Sequence, residues 1–224
     1  MPEDESLIWL FDYDLTLYGE EERGVLDSLD RNITLFVQDR LKTDFETAGE
    51  FRKNYLRKYG TTLAGLRALH GVDPHEFFDF IHTNPGLVLP KLSPEKRALL
   101  EQIRGRKFIF TNAREDWSLQ GLKSMGLENV FDGILDLNAM NWEGKPSENA
   151  YGQMELFLET RGVWKKGNKP SRIILLEDSL QNLKTAHARG WTTVWISPAG
   201  ETPAWVDFHF PHLKDLKEWW GNHV

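Results

Sequence analysis

The chain contains no cysteine, so disulfides, thiolate metal sites and catalysis by a thiol are excluded, and a reducing compartment is compatible. Long apolar runs are also missing: stretches such as Leu7 to Phe11 fall far short of the roughly 20 residues that cross a bilayer. Nor is there an excess of positive charge. Lys and Arg number 27 against 34 Asp and Glu, a formal charge of −7, which argues against nucleic acid polymers and acidic membrane faces as partners. The opening Met-Pro-Glu-Asp-Glu-Ser is acidic where a secretory leader would be basic. Together these absences lead us to expect a cytoplasmic protein, with no membrane contact, that acts on a small ligand. They say nothing of oligomeric state.

What remains is ordinary globular composition, 40% hydrophobic and 27% charged over 224 residues, enough for a core domain with one inserted subdomain. Leu7-Ile8-Trp9-Leu10-Phe11 is continuously apolar, as in a strand buried on both faces of a parallel sheet. Lys107 to Thr111, Arg172 to Leu176 and Thr192 to Ile196 have the same character. Helical patterns follow Thr111 as far as Met125 with Gly126 as a stop, follow Pro146 as far as about Arg161, and run from Ser179 to Arg189 with Gly190 as a left-handed cap. Alternating strands and helices predict a doubly wound, Rossmann-like α/β core with a parallel sheet.

The stretch from Tyr18 to Pro90 carries only helical signals. Val25, Leu26, Leu29, Ile33 and Phe36 mark one apolar face, and Thr43-Asp44-Phe45-Glu46 has the form of a capping box before a helix closed by Gly60. Asp73-Pro74 and Ser93-Pro94 each set a cap residue before proline. A crossover needs far fewer residues, so residues 18–90 are expected to form an all-helical subdomain inserted into a core made of 1–17 and 91–224. The tail after Pro198 is rich in Pro, Trp and His, with a short helix expected from Leu213 to Trp220. Trp9, Trp191 and Trp195 belong with the core strands. Trp117, Trp142, Trp164, Trp205, Trp219 and Trp220 are candidates for a partner surface, and His82, His209 and His212 are expected at the surface.

Chemistry concentrates at the strand ends. Asp12 and Asp14 follow the first buried run two residues apart, so that in extended chain both carboxylates project to one side. Like charges so close imply either a bound cation or a division into acid and base. Thr111-Asn112 ends the second run with a hydroxyl and amides before a helix, a favourable place for an anion. Lys145 precedes the next helix and could set a positive charge against phosphate oxygens, while Glu177-Asp178 closes the third run with carboxylates suited to a hard cation. Each group has an ordinary structural explanation when taken singly, as a solvated turn, a helix cap or a surface lysine. In open α/β sheets, however, the carboxyl ends of the strands line one crevice, so these groups would converge.

Phe11-Asp12-Tyr13-Asp14-Leu15-Thr16-Leu17-Tyr18, Phe110-Thr111-Asn112-Ala113, Lys145-Pro146 and Glu177-Asp178-Ser179 stand in the order of the four motifs of the haloacid dehalogenase-like superfamily. The chain resembles that superfamily from about Leu7 to Ile196, and the helical insertion resembles its cap subdomain. Within it, Asp-x-Asp-x-Thr-Leu-Tyr, the stretch Asn54 to Thr61 with Gly65-Leu66, and Glu-Asp-Ser-x-x-Asn ending at Asn182 resemble the pyrimidine 5′-nucleotidase branch. The chain departs from close relatives by reading Glu-Asp where many have Asp-Asp.

The resemblance implies a Mg²⁺-dependent phosphomonoesterase acting on a small phosphorylated metabolite, a pyrimidine nucleoside 5′-monophosphate under the narrower likeness. Asp12 is the implied nucleophile, Asp14 the acid and base, and Thr111, Asn112 and Lys145 the phosphate cradle. The implied metal ligands are Asp12, the Asp14 carbonyl and Asp178, supported by Thr16, Glu177 and Asn182. Arg52, Tyr55, Tyr59 and Arg67 are candidate substrate readers on the insertion. A phosphatase for sugar phosphates or other metabolites, a phosphomutase, and a phosphate-binding regulatory protein without turnover stay open beside it.

Overall fold

The computed structural model describes residues 7–19, 22–198 and 200–217. The chain divides into two compact units, one of which joins the residues before Glu22 to those after Pro90, while the other is Glu22–Pro90.

The first unit is built on a six-stranded parallel sheet, β1 (Ile8–Phe11), β2 (Arg106–Phe110), β3 (Gly133–Leu135), β4 (Ile173–Glu177), β5 (Thr192–Ile196) and β6 (Phe208–Phe210), in the spatial order β3-β2-β1-β4-β5-β6. All four residues of β1 are fully buried, each side chain contributing about 1.5–3 kcal/mol by leaving water. From β1 the chain builds outward through β2 and β3, then returns to β1's other side and builds out again through β4 to β6. The reversal puts a crevice at the carboxyl ends of the central strands. The helices of this unit are α5 (Pro94–Gln102), α6 (Glu115–Met125), α7 (Glu148–Thr160) and α8 (Leu180–Ala188), numbered after four in the second unit.

β3 and β6 had no counterpart among the expected strands. Each is a three-residue edge strand without a continuous buried run, and β6 is only partly buried throughout, so hydropathy alone did not mark them. Helix α6 starts at Glu115, not directly after Thr111, because residues 111–114 form a tight loop in which the Ala113 amide donates to Thr111 Oγ1 at 2.9 Å. Gly126, at φ 73°, ends that helix as expected. The tail helix is a 3-10 turn over Leu213–Asp215. Leu216 and Lys217 continue it as helix, and the rest of that expectation, residues 218–220 with Trp219 and Trp220, lies outside the described residues. Trp117 and Trp164, considered for a partner surface, are buried.

The second unit comprises α1 (Arg23–Leu41), α2 (Phe45–Tyr59), α3 (Thr62–His70) and α4 (Pro74–Thr83). The side chain that caps α2 is Asp44, which accepts from the Thr47 amide at 2.9 Å, rather than Thr43. Asp73 caps α4 through the His75 and Glu76 amides ahead of Pro74, as its sequence predicts. In the first unit, Ser93 precedes α5 without a side-chain cap, and Pro94 alone pre-sets the turn. The buried face of α1 includes Val25, Ser28, Asn32 and Phe36, while Leu26, Leu29 and Ile33 are only partly buried. That face was hidden from hydropathy because two of its members are polar: Asn32 Nδ2 donates to the Ile81 carbonyl at 3.0 Å, and Ser28 Oγ donates to the Val25 carbonyl and accepts the Val88 amide. His82, expected at the surface, is buried with its ring 5.3 Å from that of Phe78.

Candidate active site

Three strands deliver the site. Phe11 is level with Ile109 of β2 on one side and Leu176 of β4 on the other, so Asp12, Thr111 and Glu177-Asp178 emerge at neighbouring strand ends. The Asp12 amide continues the ladder by donating to the Leu176 carbonyl at 2.9 Å. Beyond it the chain is not extended, contrary to the sequence expectation. Leu15 takes a left-handed φ of 62° and the Leu17 amide closes a turn onto the Tyr13 carbonyl at 3.0 Å. A left-handed leucine costs about 1–2 kcal/mol, the sort of local strain that persists where the surroundings over-determine the backbone.

Lys145 is the hub. Its ammonium, with 1% side-chain exposure, donates to Asp12 Oδ1 at 2.7 Å and to Glu177 Oε2 at 2.6 Å. It also lies 5.0 Å from the Phe110 ring centroid, close enough for a cation–π contribution. Burial pushes its pKa down, but the charges of Asp12 and Glu177 outweigh that and hold it above the ordinary lysine value.

The loop carrying Lys145 is gripped by Asn112. The Asn112 Nδ2 donates to the Lys145 carbonyl at 2.8 Å and its Oδ1 accepts the Lys145 amide at 2.7 Å. Gly144 makes this approach possible, since a Cβ there would sit 2.2 Å from Asn112 Oδ1 and 2.7 Å from Leu137 Cδ1. The Asn112 side chain therefore holds backbone, leaving its main-chain amide as the group that could meet an anion. Thr111 is buried, and because its oxygen accepts the Ala113 amide, its hydroxyl hydrogen remains to donate.

Asp12, Glu177 and Asp178 each bring a carboxylate oxygen within 4.8 Å of the others. Burial, followed by the Glu177 charge, raises the Asp12 pKa to about 7. Burial again, then the Asp12 and Glu177 charges, raises Asp178 to about 9. Three acids against one lysine leave negative charge in excess, and the donors are all hard oxygens, the set that suits Mg²⁺. Glu177 is already engaged, by Lys145 at Oε2 and by the Ser179 amide at Oε1, 3.2 Å away. Asp178 meets the Glu177 carboxylate through its side chain, and it and the second oxygen of Asp12 are the donors that could turn to a cation.

Asp14 stands outside this cluster. Its Oδ1 accepts from the buried Tyr18 hydroxyl, a contact that no spacing argument singled out although Tyr18 lies within the first motif. Burial raises the Asp14 pKa, opposed by Tyr18 and Trp117. Thr16 is buried beside it, and among the described residues no partner reaches its hydroxyl. Asn182 is engaged through its backbone, its amide meeting Ser179 Oγ at the start of α8 and its carbonyl accepting from Tyr151 at 2.6 Å.

The candidate substrate readers belong to the second unit. Arg52 donates to the Asp30 carbonyl at 2.9 Å and to Thr34 Oγ1 at 3.1 Å, and pairs with the Asp30 carboxylate. Tyr55 is buried with its hydroxyl 2.7 Å from His70 Nε2. Tyr59 is half-buried, its ring edge-on to Tyr55, and Arg67 is exposed.

No protein-family model matches the chain. Among curated proteins it is similar to phosphate metabolism protein 8 of Saccharomyces cerevisiae, 23% identical over 142 residues that cover 59% of this chain and 44% of that protein. The chain thus matches less than half the length of this relative. Among solved structures it is similar to a HAD phosphatase from Thermococcus onnurineus, with a TM-score of 0.64, 22% identity and coverage of 97% of this chain and 98% of that one. The magnesium-bound HAD-hydrolase YfnB of Bacillus subtilis matches with a TM-score of 0.61 at 14% identity, covering 97% of this chain and 100% of that one. The L-2-haloacid dehalogenase of Xanthobacter autotrophicus matches with a TM-score of 0.60 at 16% identity, covering 98% and 100%.

Proposed function

We propose that this chain, which has the haloacid dehalogenase-like fold, is a Mg²⁺-dependent phosphomonoesterase that works through an aspartyl-phosphate on Asp12. The observation that carries the reading is the convergence of Asp12, Glu177 and Asp178 around the buried ammonium of Lys145.

Asp12 and Asp178, with the Asp14 carbonyl, are the residues that would hold Mg²⁺, which when bound would neutralise phosphate charge and favour the ionised carboxylates. Lys145 orients the Asp12 carboxylate through its hydrogen bond to Oδ1, and that carboxylate attacks phosphorus. The P–O bond to the leaving alcohol breaks, and Asp14 gives its proton to that oxygen. Water then attacks phosphorus, the aspartyl P–O bond breaks, Asp14 takes the water's proton, and Asp12 is regenerated. The Thr111 hydroxyl, the Asn112 amide and Lys145 are the donors for the developing charge on the phosphoryl oxygens. Tyr18 keeps the Asp14 carboxyl in place for its two proton transfers.

The helical unit, whose chain begins shortly after the Asp12–Tyr18 segment, is read as a cap that limits the substrate to a compact phosphate ester. A pyrimidine nucleoside 5′-monophosphate is the first candidate, on the strength of the Asn54 to Thr61 stretch and the Glu-Asp-Ser-x-x-Asn motif. Dehalogenases share the fold, but a halide leaves without needing a proton, and Asp14 with its Tyr18 partner would then have no task.

The test is hydrolysis of p-nitrophenyl phosphate, nucleoside monophosphates, sugar phosphates and 2-chloropropionate with and without Mg²⁺. We expect phosphate release that chelation stops and that Asp12→Asn lowers by at least about 10³-fold. Undiminished turnover in Asp12→Asn, or chloride release in place of phosphate release, would remove the reading.

A further inference from the structure

The segment after β5 has no part in the chemistry above, yet it is built against one of its residues. Trp195 lies in β5, 5% exposed, level with Glu177 of β4 and with His209 of β6. Its indole N–H donates to the backbone carbonyl of Asp178 at 2.8 Å. The ring of His209 stacks on it with centroids 4.2 Å apart and planes 25° from parallel. His209 is held at both nitrogens, with Nε2 2.9 Å from the Ser197 carbonyl and Nδ1 2.6 Å from Thr202 Oγ1. A carbonyl can only accept, so Nε2 carries the hydrogen and Nδ1 accepts from the threonine hydroxyl. Gly200 packs so closely on the indole that a Cβ there would lie 2.7 Å from Trp195 Cη2, and its φ of 112° is one that side-chain-bearing residues avoid.

Packing alone would explain a tryptophan in a core strand. It does not explain why the one polar atom of that ring meets the peptide of a candidate metal ligand, nor why a doubly anchored histidine lies flat upon it. We propose that Trp195, braced by His209, is a positioning residue for Asp178: it holds the Asp178 peptide so that the carboxylate stays with those of Asp12 and Glu177. Gly200, Thr202 and His209, in the described part of the tail, are then the outer support of the metal site. This inference rests on the reading of Asp178 as a metal ligand. Outer partners that orient ligands matter in general because a ligand free to turn away must be ordered again each time the ion binds.

Isothermal titration of Mg²⁺ into the full-length protein tests it without relying on turnover. Trp195→Phe keeps the aromatic body and removes the N–H. Trp9→Phe is the control, since the Trp9 indole makes a comparable buried bond to the Arg104 carbonyl at 2.9 Å, beside the amino end of β2. We expect wild type and Trp9→Phe to bind Mg²⁺ alike, Trp195→Phe to bind about 10-fold or more weakly, and Asp178→Asn to lose binding. His209→Ala, at a partly exposed position, should weaken binding in the same direction and serves if Trp195→Phe fails to fold. Wild-type affinity in Trp195→Phe, or in His209→Ala where that variant stands in, overturns the positioning role and leaves the phosphatase reading intact. Absence of Mg²⁺ binding by the wild type removes that reading and this inference with it.

Discussion

Both units of the protein bury polar side chains, but of different kinds. In the helical unit the buried polar residues among those described are Ser28, Asn32, Thr34, Thr62 and His82. Its acids and cations stay where water reaches them, as in the Arg40–Glu76 and Lys42–Asp39 pairs. In the α/β unit Asp12, Lys145 and Glu177 are buried and in mutual contact. Removing an ion from water costs several kcal/mol even after relaxation, and one hydrogen bond does not repay it. Asn32 joins α1 to α4, and Ser28 joins α1 to the Val88 amide, at far lower cost, since a neutral polar group needs only a partner. Buried charge thus separates the α/β unit from the helical one.

The sharpest way to break that contrast is Lys145→Met. It leaves two buried carboxylates without their counter-ion, and we expect about 3–5 kcal/mol of lost stability in urea denaturation with chelator present, together with loss of phosphate hydrolysis. A variant as stable as wild type would mean that the cluster tolerates its own charge.

A milder change tests the grip on the lysine loop. Gly144→Ala forces Asn112 away from the Lys145 peptide, so stability should fall by about 1–3 kcal/mol. The rate constant kcat should fall by about 10- to 100-fold, checked by steady-state kinetics, because Lys145 is displaced while the other groups remain. Unchanged kcat would show that Lys145 finds its place without the clamp.

The smallest effect belongs to the helical unit. Arg52→Ala removes an ion pair whose aspartate side chain is 56% exposed, so we expect a loss below about 1 kcal/mol in thermal denaturation and an unchanged KM for a nucleoside monophosphate. A several-fold rise in KM would instead give Arg52 the substrate-reading role its sequence context suggested.

Much of the core was legible before the fold was known. Ile8 to Phe11, Phe108 to Phe110 and Ile173 to Leu176 are apolar on both faces, and only strands inside a covered parallel sheet need that pattern. β3 and β6 were not legible, because an edge strand of three residues is defined by its neighbour's hydrogen bonds and not by its own hydropathy. The buried face of α1 escaped for a related reason: Asn32 reads as solvent-facing until the Ile81 carbonyl is seen beside it.

At the site, sequence by itself determined which chemical groups stand at which strand ends, Asp12, Thr111, and Glu177 with Asp178, and that Lys145 stands ahead of a helix. Order along the chain and an apolar run before most of them were sufficient for that. Only the tertiary structure decided how the groups meet. Lys145 bridges two acids, the Asn112 side chain grips backbone, and Trp195, with His209 stacked on it, meets the Asp178 carbonyl. These hydrogen bonds join residues 17 to 133 positions apart, and local propensity carries no information about pairings that only chain closure creates.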